Sequence, residues 1–180
     1  MLPFQTLALV LCVLVRGSMA FVRKKRPNLA RELTVLLLSA SLVGVLSQAV
    51  LPKLQWIDGG LRFLFVGEHH TNLTPFAVIA KTADELARGN LSALLINVIG
   101  NIAVFVPLGF FFSLLWKPSA KTVLLAGFLT SLFMEVSQLF LPRYTDVDDL
   151  ILNTLGAWFG FLLCRGVCKL FPRLQEKIST

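Results

Sequence analysis

The chain has 180 residues, 56% of them hydrophobic and only 15% charged, with a mean hydropathy of +0.75 and a formal net charge of +7. Soluble domains run at about 45–50% apolar and about 25% charged residues, so the composition excludes an ordinary soluble enzyme. The basic excess then argues less for nucleic acid than for a membrane, because an apolar, sparsely charged, basic chain reads as an integral membrane protein.

The first apolar segment, Leu2–Val22, is broken by Arg16 and followed by the run Arg23-Lys24-Lys25-Arg26. A secretory signal carries its positive charge ahead of the apolar stretch, and here none precedes Arg16. Residues 1–32 are therefore expected to form a retained span or membrane-lying helix plus a basic loop. Four further stretches supply the roughly 20 apolar residues that a bilayer-crossing helix needs. These are Leu33–Leu51, Leu91–Trp116, Thr122–Leu141 and Leu150–Phe171. Between the first two, residues 52–90 balance four basic against four acidic side chains. That segment holds two modest apolar patches, Leu61–Val66 and Leu73–Ala80, the second with Pro75 as a turn or helix start. A structured or re-entrant loop is expected there. Residues 172–180 are a polar tail. The predicted fold is an all-α polytopic membrane bundle of about five spans.

Orientation follows from where Lys and Arg fall. If the loop Arg23–Arg31 is cytoplasmic, so are the turn with Lys117 and Lys121 and the tail with Arg165, Lys169, Arg173 and Lys177. That side then collects twelve of the seventeen basic residues and only two acids, Glu32 and Glu176. The N-terminus is outside and the C-terminus inside. If Leu2–Val22 does not span, only the N-terminus changes side.

Polar residues within spans are costly and by default mark function. Asn97 and Asn101 share a helix face, as do Glu135 and Gln138, and Asp146, Asp149 and Asn153 form one stripe. Asn97 and Glu135 each lie about 9 Å below the outer end of their helices, and Asn153 about 6 Å. The short turn Pro142–Asp148 makes the last two spans antiparallel neighbours. The three polar faces should meet just below the outer surface, under a charged lid of Arg143, Asp146, Asp148 and Asp149. Taken singly, Asn97 or Gln138 would pass for packing glue, and Asp148 for a solvated loop acid. Glu135 differs, because a carboxylate in apolar surroundings needs a partner, water or a proton. Glu135 and Asp149 are the candidate chemical groups. Asn97, Asn101, Gln138, Arg143, Asp146 and Asn153 are the candidate binding groups.

Other features read as structure. Gly156 and Gly160 form the GxxxG of close helix packing. Cys12, Cys164 and Cys168 are odd in number and sit in apolar stretches, so they read as small buried hydrophobes. His69 and His70 are adjacent, point in different directions, and read as loop residues. Asp146 and Asp149 offer hard oxygen ligands, but two acids alone assign no metal. There is no cofactor fingerprint of the P-loop, dinucleotide, HExxH or GxSxG kind.

Three segments carry a family resemblance: TNLTPF (71–76), NVIGNIAVFVPLGFF (97–111) and FMEVSQLFLPRYTDVDDLILNTLGAWFG (133–160). They resemble the VanZ-like family in order and spacing. The pattern is an Asn-rich helix ending in Pro-Leu-Gly, then Glu and Gln on the next helix, then an Arg-x-x-Asp-x-x-Asp turn into Asn-Thr-Leu-Gly. The resemblance covers 71–163 and implies a transmembrane domain over 33–171. It implies a multi-pass protein of the bacterial cytoplasmic membrane, in a family associated with teicoplanin resistance, and no particular reaction.

Three functions compete on these residues. In the first, the cluster binds or acts on an amphiphilic envelope molecule, such as a lipid-linked precursor or a lipid-tailed glycopeptide. Glu135 would then be a general acid/base or an acceptor for a bound hydroxyl or amide, and Arg143 would meet a phosphate or carboxylate. In the second, the protein is a non-catalytic scaffold or resistance factor and the cluster is packing glue. In the third, it is a small proton-coupled carrier built on Glu135, which at this size would need to oligomerise. Enzyme and binder stay equally open. The expected partners are the bilayer and an amphiphile, not nucleic acid.

Overall fold

The computed structural model describes residues 28–50, 53–57, 60–64, 70–139 and 144–179. The segment Leu2–Val22 and Arg143 lie outside them. The described chain runs through helix α1 (Leu29–Val50), the antiparallel hairpin β1 (Lys53–Ile57) and β2 (Gly60–Leu64), and strand β3 (His70–Asn72). It continues through α2 (Ala77–Ala87), α3 (Leu91–Trp116), α4 (Ala120–Leu139), β4 (Tyr144–Asp146), α5 (Val147–Leu170) and α6 (Pro172–Ser179).

Four of these helices, α1, α3, α4 and α5, are long and apolar enough to cross a membrane, as the apolar runs predict. Local chemistry sets their ends. The Asn28 side chain accepts from the first amides of α1, Ala30 N at 3.1 Å and Arg31 N at 3.3 Å. Lys117 in the left-handed region, φ 51°, followed by Pro118, stops α3. The Ser119 hydroxyl accepts from Thr122 N at 3.2 Å and opens α4, and the Asp146 carboxylate accepts from Asp148 N at 2.9 Å and opens α5. Apolar side chains such as Leu125, Leu129 and Phe133 stand exposed along α4 at helical spacing. In water this would be an aggregation surface, whereas in lipid it is the ordinary outer face.

Small residues hold the bundle. A Cβ on Gly109 of α3 would strike the backbone of Ala157 on α5. One on Gly156 would strike the Ile102 carbonyl, and one on Gly160 the Val106 carbonyl. The α3 and α5 backbones therefore touch directly, the arrangement that GxxxG predicts. A Cβ on Gly127 of α4 would come within 2.7 Å of the Ala157 Cβ, so α4 closes on the same point. Around this contact lie Val45, Phe105, Leu108, Val123, Met134, Ala157 and Phe161, all buried.

Two findings refine the all-α expectation. The loop 52–90 contains a hairpin, and its lower half is a helix, α2, that starts two residues after Pro75. In addition, β3 and β4 pair in parallel, with Thr71 opposite Thr145 and Asn72 opposite Asp146. Strands of three residues leave too short an alternation to read in a sequence. The tail 172–179 is a helix packed under the bundle, with Ile178 buried against Leu114, Leu115 and Cys164.

The glycine contacts make a contrast testable. Gly109→Val should destabilise the folded protein in detergent by about 3 kcal/mol or more, because backbone on the far side cannot yield. Gly44 faces nothing within 4 Å. Gly44→Ala should leave the melting temperature of the same preparation nearly unchanged, within about 0.5 kcal/mol.

Candidate functional site

The polar groups gather at the end of the bundle where α3 and α5 begin and α4 ends. Asp148 organises it. Its carboxylate is fully buried and lies at the start of α2, accepting from the amides of Phe76, Val78 (2.8 Å) and Ile79 (3.3 Å). Phe76 turns into the left-handed region, φ 65°, to aim these amides at it. A helix N-terminus and a carboxylate satisfy each other in this way without water. The expectation of a solvated loop acid is thus overturned: Asp148 is the anchor of α2, because three orphan amides repay its desolvation.

Asp146 ties three elements together. Its backbone N–H donates to Glu135 Oε2 at 3.1 Å, while its carboxylate caps α5 and accepts from the Asn72 amide at 3.0 Å. Asn72 in turn accepts from Thr74 N at 3.1 Å, which sets the turn into α2. The motif around 71–76 and the acidic turn before α5 therefore form one interlocked unit. Asp146 and Asp148, predicted as part of a lid, fasten β3 and α2 to the helix bundle.

One level deeper, the Asn101 amide on α3 donates to Asp149 on α5 and to the Asn97 carbonyl at 3.1 Å. The turn Leu95–Gly100 just before it is π-helical, a local widening that is frequent at functional sites. Asn97 donates to the buried Thr82 of α2 at 3.5 Å. Asn153 points elsewhere and donates to the fully buried Ser131 of α4 at 2.9 Å. Glu135 is 7% exposed and lies within electrostatic reach of Asp149 and Asp146. Among the described residues no Lys, Arg or His is seen in an ion pair with these carboxylates; Arg88 pairs instead with Glu85, at 3.7 Å. Among the described residues, two buried side-chain polar atoms have no hydrogen-bond partner, Gln138 Oε1 and Thr145 Oγ1. They lie one turn beyond Glu135 and next to Asp146 in the chain. No three His, Cys, Asp or Glu among the described residues come together as metal ligands would.

The structure thus brings Glu135, Asp146, Asp149 and Asn101 into one cluster, with Gln138 beside Glu135. It directs Asn97 toward α2 and Asn153 into the interhelical core. Reading the sequence misses Asn72, Thr82, Ser131 and Thr145. Asn72 carries a local signal, an Asx turn two residues before Thr74, whereas Thr82, Ser131 and Thr145 carry none in the chain order.

A bundle of at least four apolar helices, closed on itself by glycine and crowned at one end by a buried carboxylate–amide network, is a multi-pass membrane protein. The chain belongs to the VanZ/LLP1 family, whose model matches residues 33–171, from α1 to the end of α5. No curated protein and no solved structure matches it.

Two substitution sets separate anchor from glue. Asp148→Ala should strand the amides at the start of α2, lower stability by on the order of 3 kcal/mol, and open 70–90 to protease. Ser131→Ala leaves the Asn153 amide unpaired and should cost about 1–2 kcal/mol, whereas Ser131→Ala with Asn153→Leu should cost no more than the single change. Thermal unfolding of the parent and the three detergent-purified variants measures both.

Proposed function

We propose that the Glu135–Asp149 end of the bundle faces the outside of the bacterial cytoplasmic membrane. There it binds the polar head of an amphiphilic envelope molecule, a lipid-linked precursor or a lipid-tailed glycopeptide. The observation that carries this reading is the pair of orphaned atoms, Gln138 Oε1 and Thr145 Oγ1, beside a carboxylate without a described cation. A buried polar atom without a partner costs about 1–3 kcal/mol. A network kept only for packing would be closed, as Asn153–Ser131 is. Open acceptors in an acidic site fit a ligand that brings donors: hydroxyls, amides or an ammonium.

An apolar cavity of about 280 Å³ supports the amphiphile. It lies among α1, α3, α4 and α5, is walled by Leu38, Leu42, Leu108 and Val123, and reaches Thr130. Thr130 lies roughly 7 Å below Glu135 along α4. A head at the carboxylates and an acyl chain in this cavity would use both. In this reading Glu135 is the acceptor that orients the head, placed where it could also exchange a proton with it. The association of the family with glycopeptide resistance supports an envelope ligand.

Glu135→Gln keeps shape and removes the charge. In nanodiscs, the variant should bind fluorescent teicoplanin or a lipid-linked disaccharide precursor roughly tenfold to a hundredfold more weakly than the parent, with an unchanged melting temperature. Asn153→Leu should show the reverse, a lower melting temperature and undiminished binding. Equal binding by the parent and Glu135→Gln, or binding of neither probe, would sink the reading.

A further inference from the structure

At the opposite end of the bundle lies a second cavity, of about 800 Å³, between the α3–α4 turn, the last turns of α5 and α6. Arg165 is roughly 24 Å along α5 from Asp149 at 1.5 Å per residue, so the two sites belong to different faces of a bilayer. Three cations, Lys117, Arg165 and Lys169, line the cavity, and no carboxylate does. None of the three forms an ion pair among the described residues, and Arg165 rests over the Phe161 ring at 5.6 Å.

The N-terminus of α4 opens into the same space through Ser119 and Ala120. The Ser119 hydroxyl and carbonyl serve Thr122 and Val123, while the amide of Ala120 keeps no described partner. Unsatisfied helix amides beside cations attract an anion. Lys117, the residue that ends α3, brings a third positive charge to the cavity wall.

We propose that this basic cavity is a binding site for a phosphate group, held by Lys117, Arg165, Lys169 and the Ala120 amide at the start of α4. Phe161, Cys164 and Pro118 give the cavity an apolar floor. An anionic phospholipid, its headgroup on the cations and its glycerol region over that floor, makes use of both. A soluble phosphate uses only the first.

Cys168 lines the cavity, is partly exposed, and provides a local readout. With Cys12 and Cys164 replaced by Ser, Cys168 is labelled with an uncharged maleimide in three settings. These are phosphatidylcholine nanodiscs, the same nanodiscs with inorganic phosphate, and phosphatidylglycerol nanodiscs. Slower labelling in phosphatidylglycerol alone identifies the lipid headgroup, and slower labelling with inorganic phosphate identifies the soluble ion. In either case Lys117→Gln, Arg165→Gln and Lys169→Gln together should abolish the protection, with binding weakened roughly fivefold per charge removed. Lys121 and Lys177 do not line the cavity. Their replacement by Gln should leave protection intact, which distinguishes a built site from diffuse surface attraction. Equal labelling in all three settings, or protection lost equally in the Lys121/Lys177 variant, overturns the proposal. Melting temperatures of both variants show that the bundle is intact.

Discussion

The contact on which the structure depends is backbone against backbone, where Gly109 of α3 meets Ala157 of α5 and Gly156 and Gly160 receive the carbonyls of Ile102 and Val106. In lipid, apolar side chains gain little by leaving solvent, so helices are held by close van der Waals packing and the hydrogen bonds that such packing permits. The glycines supply the approach. The approach then brings Asn101 within bonding reach of Asp149, one turn before Asn153 and on the same helix as the glycines. Without that closeness, the amides and carboxylates of the three helices would face lipid separately, which none of them tolerates.

The two ends of the bundle are built on opposite principles. The carboxylate end is dense with internal bonds: Asp146 and Asp148 each hold several partners, and α2 and β3 are fastened down through them. Cations at the other end stand open around a cavity, and the one short helix there, α6, is held by apolar contacts through Ile178 and by bonds from Asn28 and Arg31 to its last carbonyls. One end of the bundle is thus closed by hydrogen bonds among its acids and amides, and the other is lined by cations around an open cavity.

Much of this was legible in the order of residues. Hydropathy alone gives four spans close to their observed ends, because a bilayer imposes length and apolarity on each helix independently of its neighbours. GxxxG gives the tight face of α5 for the same local reason. Helical spacing also puts Asn97, Glu135 and Asn153 at one level with Asp146 and Asp149 above them, and the structure joins Asn101, Glu135, Asp146 and Asp149 across that boundary. What spacing cannot supply is the partner. Whether Asn153 meets a ligand or Ser131, and whether Asp148 meets water or the amides of α2, depends on the rotation of each helix about its own axis, which packing decides. Asp148 misled most, since an acid in a loop beside two others has every local mark of solvation. The parallel pairing of β3 with β4 is beyond the reach of periodicity altogether, since it joins stretches on either side of two spans.

The capping of α2 by Asp148 also has a consequence in time. The amides of Phe76 and the carboxylate that receives them are 72 residues apart in the chain. At about 5–20 residues per second of synthesis, the start of α2 waits roughly 4–14 s for its counterion to leave the ribosome. During that interval two complete hydrophobic helices, α3 and α4, are made and handed to the membrane. Helix α2 is therefore among the first parts of the family domain to be translated and among the last to settle. Its closure needs α5 in place, because only then does Asp148 stand where the amides of α2 can meet it.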